Sequence, residues 1–484
     1  MQDEIIATEY GEFSSTSSST VKDIFDILGW FFTIIAPVLV YFFTPEIEID
    51  GFGNEPKIFL CIVLSASVMW IFSLLPEFIP GIFILLATVL LSLVDSSIVL
   101  SGFASSTFII VLSIIVMTIT IIQSGIMKRF LLSLLKHTHS LHLANWILFG
   151  FGILMTPFLP SIINRTQIMS PLVREIGGHL KAEKNGFSLL FASGFLSVSL
   201  LSSSFLSASL LNFIIFSLLP LQEQQEFQTS GWFQGTLVIS AILLTSCFLT
   251  LPFFFRNKEK NEKISNTFSS SLEEMGKVKI EEIVSVGALF IFFLGVLTSQ
   301  YHHISGSWIG FSILFLFLSL GFVKMEDFQK KVDWPYLFFL SAIVGISAIF
   351  KALGLDTWLY NHLLLTFPEI LKDNMILFSS IALVSLTLRF ILPVGAVVAL
   401  LAPTILAISV KIGISGWASC IVLLFVGDIW FFPYQCSFYK TYKSGFSNSE
   451  INEKKFLIIN AIINVIKLLA LFLSFYYWKY LSLI

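Results

Sequence analysis

Long apolar runs separated by short polar stretches dominate the chain, and their lengths set the first expectation. A bilayer core of about 30 Å takes roughly 20 apolar residues at about 1.5 Å of helix each. Runs of that order fall near 27–44, 58–76, 81–100, 107–126, 145–172, 187–221, 232–255, 283–300, 307–323, 334–352, 375–411, 415–435 and 456–481. Three of them depart from a simple crossing. Runs 145–172 and 375–411 carry internal prolines, Pro157 with Pro160 and Pro393, while 187–221 is too long for one straight span and Ser-rich at its centre. Re-entrant hairpins or broken helices account for all three, because irregular backbone at membrane depth persists only where protein or a water-filled cavity satisfies its polar groups. Counting the two proline-interrupted runs as hairpins leaves eleven crossings. The pattern predicts an all-α polytopic membrane protein of about 11 transmembrane helices plus two re-entrant hairpins.

Charge tests that count, since basic residues collect on the cytoplasmic side. With a cytoplasmic N-terminus and an outer C-terminus, twenty Lys/Arg fall inside, beginning at Lys22 and ending at Lys455. Only four, Lys57, Lys351, Lys372 and Lys479, fall outside. The last four, Arg165, Arg389, Lys411 and Lys467, lie within apolar runs, and Lys411 and Lys467 read as interfacial because they are near run ends. A cell (inner) membrane location follows as the expectation.

Composition agrees with a bilayer environment. Hydrophobic residues are 56% of the chain and charged residues 12%, about half the roughly 25% of soluble proteins. Several soluble domains are thereby excluded, and a net charge of -3 gives no reason to expect nucleic acid. None of the four cysteines, Cys61, Cys247, Cys420 and Cys436, forms a CxxC pair, so neither a disulfide framework nor a zinc site is indicated. His137, His139 and His142 sit on a loop without an acidic or cysteine ligand, and no metal or cofactor is expected. Residues 1–23 are polar and read as a disordered tail.

The two halves repeat one set of signals. Leu112-Ser113-Ile114-Ile115-Val116 followed by Gly125 returns as Leu340-Ser341-Ala342-Ile343-Val344 followed by Gly354, and Pro160 with Pro171 returns as Pro393 with Pro403. The offsets are 228 from Ser113 to Ser341, 229 from Gly125 to Gly354 and 232 from Pro171 to Pro403. The organisation expected is a first helix and outer loop over 24–57, a repeat over 58–255 with hairpin 145–172, a cytoplasmic connector over 256–282, and a second repeat over 283–484 with hairpin 375–411. With five crossings each, the second repeat enters from the opposite side. Inverted repeats whose interrupted helices meet near the midplane are a construction of secondary transporters.

Polar groups at the interruptions are the candidate chemistry. Ser161, Asn164, Arg165 and Thr166 follow Pro160, and a charge at the bilayer centre costs roughly 2.5–3.5 kcal/mol on insertion scales. Two readings stand for Arg165: a guanidinium at a hairpin tip beside free helix-end amides that grips an anion, or one that snorkels to the headgroups. Arg389, just before Pro393, carries the same two readings. Ser202, Ser203 and Ser204 precede Asn212 in the Ser-rich run, where packing explains the hydroxyls and Asn212 is the candidate ligand. Asp428 is the only acidic residue well inside the last four apolar runs; it reads as a proton carrier or cation ligand, or as the structural partner of Arg389 or Lys411. Pro433 interrupts the helix beside Gln435.

These residues carry a resemblance. Over roughly 58–480 the chain resembles the divalent anion–sodium symporter (DASS) family, in its citrate and dicarboxylate carrier-like branches. The resemblance lies in Leu100-Ser101-Gly102-Phe103-Ala104-Ser105, Asp333-Trp334, the Leu159-Pro160-Ser161 hairpin with Arg165, the stretch ending in Asn212, and Pro433-Tyr434-Gln435. It implies two inverted repeats with one hairpin each, a homodimer, an elevator-type motion and transport of di- or tricarboxylates or sulfate. The family's Ser-Asn-Thr hairpin signature reads Ser161-Ile162-Ile163 in the first half and Pro393-Val394-Gly395 in the second, so only Ser161 carries over.

The expected function is a secondary active transporter of a small anion coupled to sodium or protons, and not an enzyme. Its expected substrate-binding residues are Ser161, Asn164, Arg165, Thr166, Asn212 and Gln435, with Ser161, Asn164 and Asp428 for the coupling ion and Arg389 as a further candidate. A cation/proton antiporter, a polytopic membrane enzyme and a non-transporting relative are the alternatives.

Overall fold

A computed structural model of the protein describes residues 19–47, 49, 51–136, 138, 140–228, 230–255 and 267–484. The expected tail up to residue 18, the first part of the connector, and His137 and His139 lie outside them. The described residues are helical with no strand. Seven helices are long and apolar enough to cross a membrane: Ile24–Phe43, Ser106–Ser124, Ser230–Phe254, Ile280–Leu297, Trp334–Ala352, Val394–Ile412 and Glu453–Tyr480. Five shorter apolar helices accompany them, Phe78–Leu90, Leu141–Met155, Gly306–Ser319, Asn374–Arg389 and Gly416–Gly427. Phe43, Phe253, Phe290 and Leu365 are largely exposed, as side chains solvated by lipid are. The protein is an all-α polytopic membrane protein.

Local chemistry sets the helix ends. Ser105 accepts from Phe108 N at 3.2 Å to start Ser106–Ser124, and Asp333 accepts from Tyr336 N at 3.0 Å to start Trp334–Ala352. These caps satisfy amide donors that a helix start leaves open. Both helices end near a left-handed glycine, Gly125 at φ 75° and Gly354 at φ 67°, where a side chain would be strained. Gly102 has a different reason: a Cβ there would lie 2.0 Å from the Ser341 carbonyl oxygen. Ser113, Thr118 and Ser341 bond back to the carbonyl four residues earlier, which lets hydroxyls sit buried in these helices.

Each half contains a helix, a break and a second helix, twice over. Leu141–Met155 and Ile162–His179 flank the break 156–161, and Asn374–Arg389 and Val394–Ile412 flank 390–393. Lys184–Ser199 gives way to an irregular segment with the 3-10 turn Leu206–Ala208 before Leu210–Leu218. Gly416–Gly427 gives way to one with Pro433–Gln435 before Ser437–Ser444. The last break begins at Asp428, five residues ahead of Pro433, so the proline follows the interruption instead of causing it. The pieces after the breaks cross over: Leu210–Leu218 packs on Val394–Ile412, and Ser437–Ser444 on Ile162–His179. There Ser170 Oγ donates to Tyr442 O at 3.2 Å, and Tyr442 Oη donates to Phe191 O at 3.0 Å.

The described end of the connector is fixed to the body. Arg129 Nε donates to Glu282 Oε2 at 2.6 Å and Nη2 to Glu282 Oε1 at 3.0 Å, while Nη1 reaches Gly276 O at 2.9 Å.

Candidate functional site

Irregular backbone inside a membrane leaves carbonyl and amide groups that need partners, and the breaks obtain them largely from one another. Arg165 is fully buried. Its Nε donates to Val198 O at 2.8 Å, and Nη1 donates to Ala208 O at 2.7 Å, Thr156 O at 3.3 Å and Leu159 O. One guanidinium thus joins the first hairpin break to the end of Lys184–Ser199 and to the 3-10 turn Leu206–Ala208. Nη2 is buried with no partner among the described residues.

Arg389 repeats the arrangement in the second half. Nε donates to Gly427 O at 2.9 Å, Nη1 to Leu392 O at 3.1 Å and Nη2 to Gln435 O. The acceptors correspond one by one at the repeat spacing: Leu159 to Leu392 by 233, Val198 to Gly427 by 229, and Ala208 to Gln435 by 227. The arginines themselves do not correspond, since Arg165 lies beyond Pro160 and Arg389 ahead of Pro393. Neither snorkels to the headgroups; carbonyl oxygens take the place of water around both.

The two irregular segments meet at Asp428. Ser202 Oγ and Ser203 Oγ each donate to Asp428 Oδ2 at 2.6 Å. No ion pair joins Asp428 to Arg389 or Lys411. Arg165, Arg389 and Lys467 all lie within electrostatic reach of it, and Arg389 also faces Glu77.

The other expected site residues divide into open and engaged groups. Ser161 is partly exposed at the hairpin tip and accepts from Asn164 N at 3.2 Å, capping Ile162–His179. Asn164 is partly exposed beside it. Thr166 is buried and donates to Ile163 O at 2.7 Å. Asn212 is buried, with Nδ2 donating to Ser202 O and Phe205 O at 2.8 Å each and Oδ1 unpartnered. Gln435 Oε1 accepts from Phe431 N at 2.8 Å and Phe432 N at 3.0 Å. Thr166, Asn212 and Gln435 therefore hold backbone in place, while Ser161 and Asn164 remain open at the tip.

Four supporting residues escape a reading of apolar runs. Trp232 Nε1 donates to Ser203 O at 3.0 Å and Thr236 Oγ1 to Ser204 O at 2.9 Å. Asn460 Nδ2 and Asn464 Nδ2 donate to Trp430 O at 2.9 and 2.5 Å. Both pairs are four residues apart on one helix face and 228 residues apart from each other, which is the signal that would have found them. Lys467 continues the Asn460 and Asn464 face and is 4% exposed midway along Glu453–Tyr480. It is therefore an interior cation, and its expected interfacial placement is corrected.

The family described as the sodium:sulfate symporter transmembrane region matches residues 27–484. No curated protein matches the chain.

Proposed function

The chain belongs to the sodium:sulfate symporter family, an anion transporter family whose ion is sodium, and from that premise we propose how it moves its substrate. The proposed cargo is a small anion of the di- or tricarboxylate or sulfate class. It binds where the tip of the first hairpin meets the two irregular segments. Ser161 and Asn164 offer open polar groups, the start of Ile162–His179 offers amides, and Arg165 offers its uncommitted Nη2. The observation carrying this reading is the field: three buried cations, Arg165, Arg389 and Lys467, surround the breaks against two carboxylates, Asp428 and Glu77. Such an excess in a low-dielectric interior favours an anion.

The remaining assignments rest on the same premise. Residues 58–255 and 283–484 form two inverted repeats around 256–282, as the acceptor correspondences at offsets of 227 to 233 support. The hairpins and broken helices move together in an elevator-type step, within a homodimer in the cell (inner) membrane, with the N-terminus cytoplasmic and the C-terminus outside.

Purified protein in liposomes is expected to accumulate or exchange labelled sulfate, dicarboxylate or tricarboxylate saturably. Replacing Ser161 and Asn164 together by Ala should lower that rate at least about tenfold while the protein stays monodisperse. Failure of every such anion to cross would overturn the reading. Activity abolished by Asp428→Asn yet indifferent to the Ser161 and Asn164 changes would point instead to a cation/proton antiporter.

A further inference from the structure

In transporters built from inverted repeats, unwound carbonyls and the carboxyl ends of half-helices coordinate the driving cation. The physical cause is general. The last carbonyls of a helix have no intrahelical donor and carry roughly half a negative charge between them. This protein has two such places, one per half, and each already encloses a cation. At the first, Val198 near the end of Lys184–Ser199, Thr156 and Leu159 of the hairpin break, and Ala208 of the 3-10 turn direct their oxygens at Arg165. At the second, Gly427 ending Gly416–Gly427, Leu392 of the hairpin break and Gln435 of the 3-10 turn direct theirs at Arg389. Each set combines the same three sources of oxygen.

We propose that Arg165 and Arg389 are tethered cations filling the two carbonyl cages in which a transporter of this construction holds its coupling ions, so that anion movement here uses sodium at neither place. The inference rests on the reading of the chain as an anion transporter of two related halves.

Three considerations carry it. A guanidinium stays charged across the physiological range, so neither cage is vacated by deprotonation. Nε and Nη1 of Arg165, and Nε, Nη1 and Nη2 of Arg389, donate to oxygens that a metal ion would need, and a carbonyl aimed at an N–H is withdrawn from an incoming ion. Repulsion adds to the exclusion: a unit charge placed about 4 Å from a guanidinium at an effective dielectric near 20 loses roughly a thousandfold in affinity. The side chains agree. The second tip has no hydroxyl or amide among Pro393, Val394 and Gly395, while at the first the open Ser161 and Asn164 are assigned to the anion.

The test separates this inference from the reading beneath it. Thermal unfolding of the full chain in detergent is followed while sodium replaces choline at constant ionic strength, a measurement that needs no transport. A native-state sodium site raises the midpoint with concentration. The wild type is expected to show no sodium-specific shift, and Arg389→Ala, which opens the second cage, to gain one. Labelled anion flux into liposomes, measured with and without sodium, is expected to agree within about twofold. A wild-type midpoint that climbs more than about 2 °C with sodium, or flux that falls more than about tenfold without it, would overturn the proposal. Should Arg389→Ala not fold, the wild-type titration still decides. Absence of any anion flux in either salt would count against the transport reading, while the titration continues to judge the cages.

Discussion

The two hairpin regions do one job from different positions. In the first, the arginine sits after the break and takes four carbonyls; in the second, it sits before the break and takes three. Their acceptors keep the repeat spacing although the donors do not. What is shared between the halves is therefore a geometry of unsatisfied backbone, and a long flexible side chain can answer it from either arm. The second difference is charge: the first irregular segment supplies hydroxyls, Ser202 and Ser203, and the second supplies the carboxylate, Asp428. The halves are complementary at that contact, so each segment is held by the other.

Removing the arginine staples should have the largest effect. Arg165→Ala leaves four acceptors without a donor at membrane depth, and Arg389→Ala leaves three. Both should lose more than about 3 kcal/mol of stability, with Arg165→Ala the worse, because unsatisfied buried polar groups cost about 1–3 kcal/mol each. The recovered monodisperse fraction and the unfolding midpoint would read this; equal midpoints for both variants and the wild type would refute the staple assignment.

Asp428→Asn attacks the contact between the halves with a smaller effect. Hydrogen bonds to a charged group are worth about 1.5–3 kcal/mol, and the amide keeps the shape while losing the charge. A stability loss in that range, read from the unfolding transition, is expected, with transport reduced. Ser202→Ala combined with Asp428→Asn should then cost less than the sum of the two, as coupled partners do.

The supporting helices allow a finer comparison. Asn460→Leu with Asn464→Leu strips both side-chain donors from Trp430 O, whereas Thr236→Val strips one from Ser204 O. About 1–3 kcal/mol is expected for the pair and roughly 1 kcal/mol for the single change, by thermal or denaturant unfolding. A larger loss from Thr236→Val would reverse the ranking.

The smallest effect concerns a contact between the far end of Ile162–His179 and the loop after Ser437–Ser444, outside the membrane. The Glu450 carboxyl accepts from Ser447 N at 2.8 Å and lies 3.8 Å from Arg174, and these partners, the amide first, hold it below the usual carboxylate range. A depressed carboxylate stabilises above its unfolded value, near about 4.3, and that contribution is lost as pH falls through the folded value. The protection factor of amides around Ser447, taken against the intrinsic exchange rate at each pH, should fall slightly in that acidic window and stay flat above it. Glu450→Gln should remove the dependence.

Much of this was legible in one dimension. Apolar runs, prolines and glycines located the helices and the breaks between them, because each depends on lipid solvation or on backbone conformations that few residues tolerate. Arg165, Arg389 and Asp428 stood out because charge is costly in apolar runs. Their roles did not, since the groups they meet are mostly backbone carbonyls and hydroxyls, which every residue or many residues carry. Reading Lys467 as near a run end misplaces it, since it stands midway along Glu453–Tyr480 on the covered face with Asn460 and Asn464.

An all-helical membrane protein with scarce interior charge was already written in the chain, because period, length and composition act locally along it. Only the tertiary structure decided that both arginines close cages of carbonyls and that Ser202 and Ser203 find Asp428 more than two hundred residues away. Those partnerships are set by how the breaks pack against one another. Satisfying backbone groups where water is absent is a requirement of the assembled interior, and around Arg165, Arg389, Ser202 and Ser203 it leaves no fixed spacing to read.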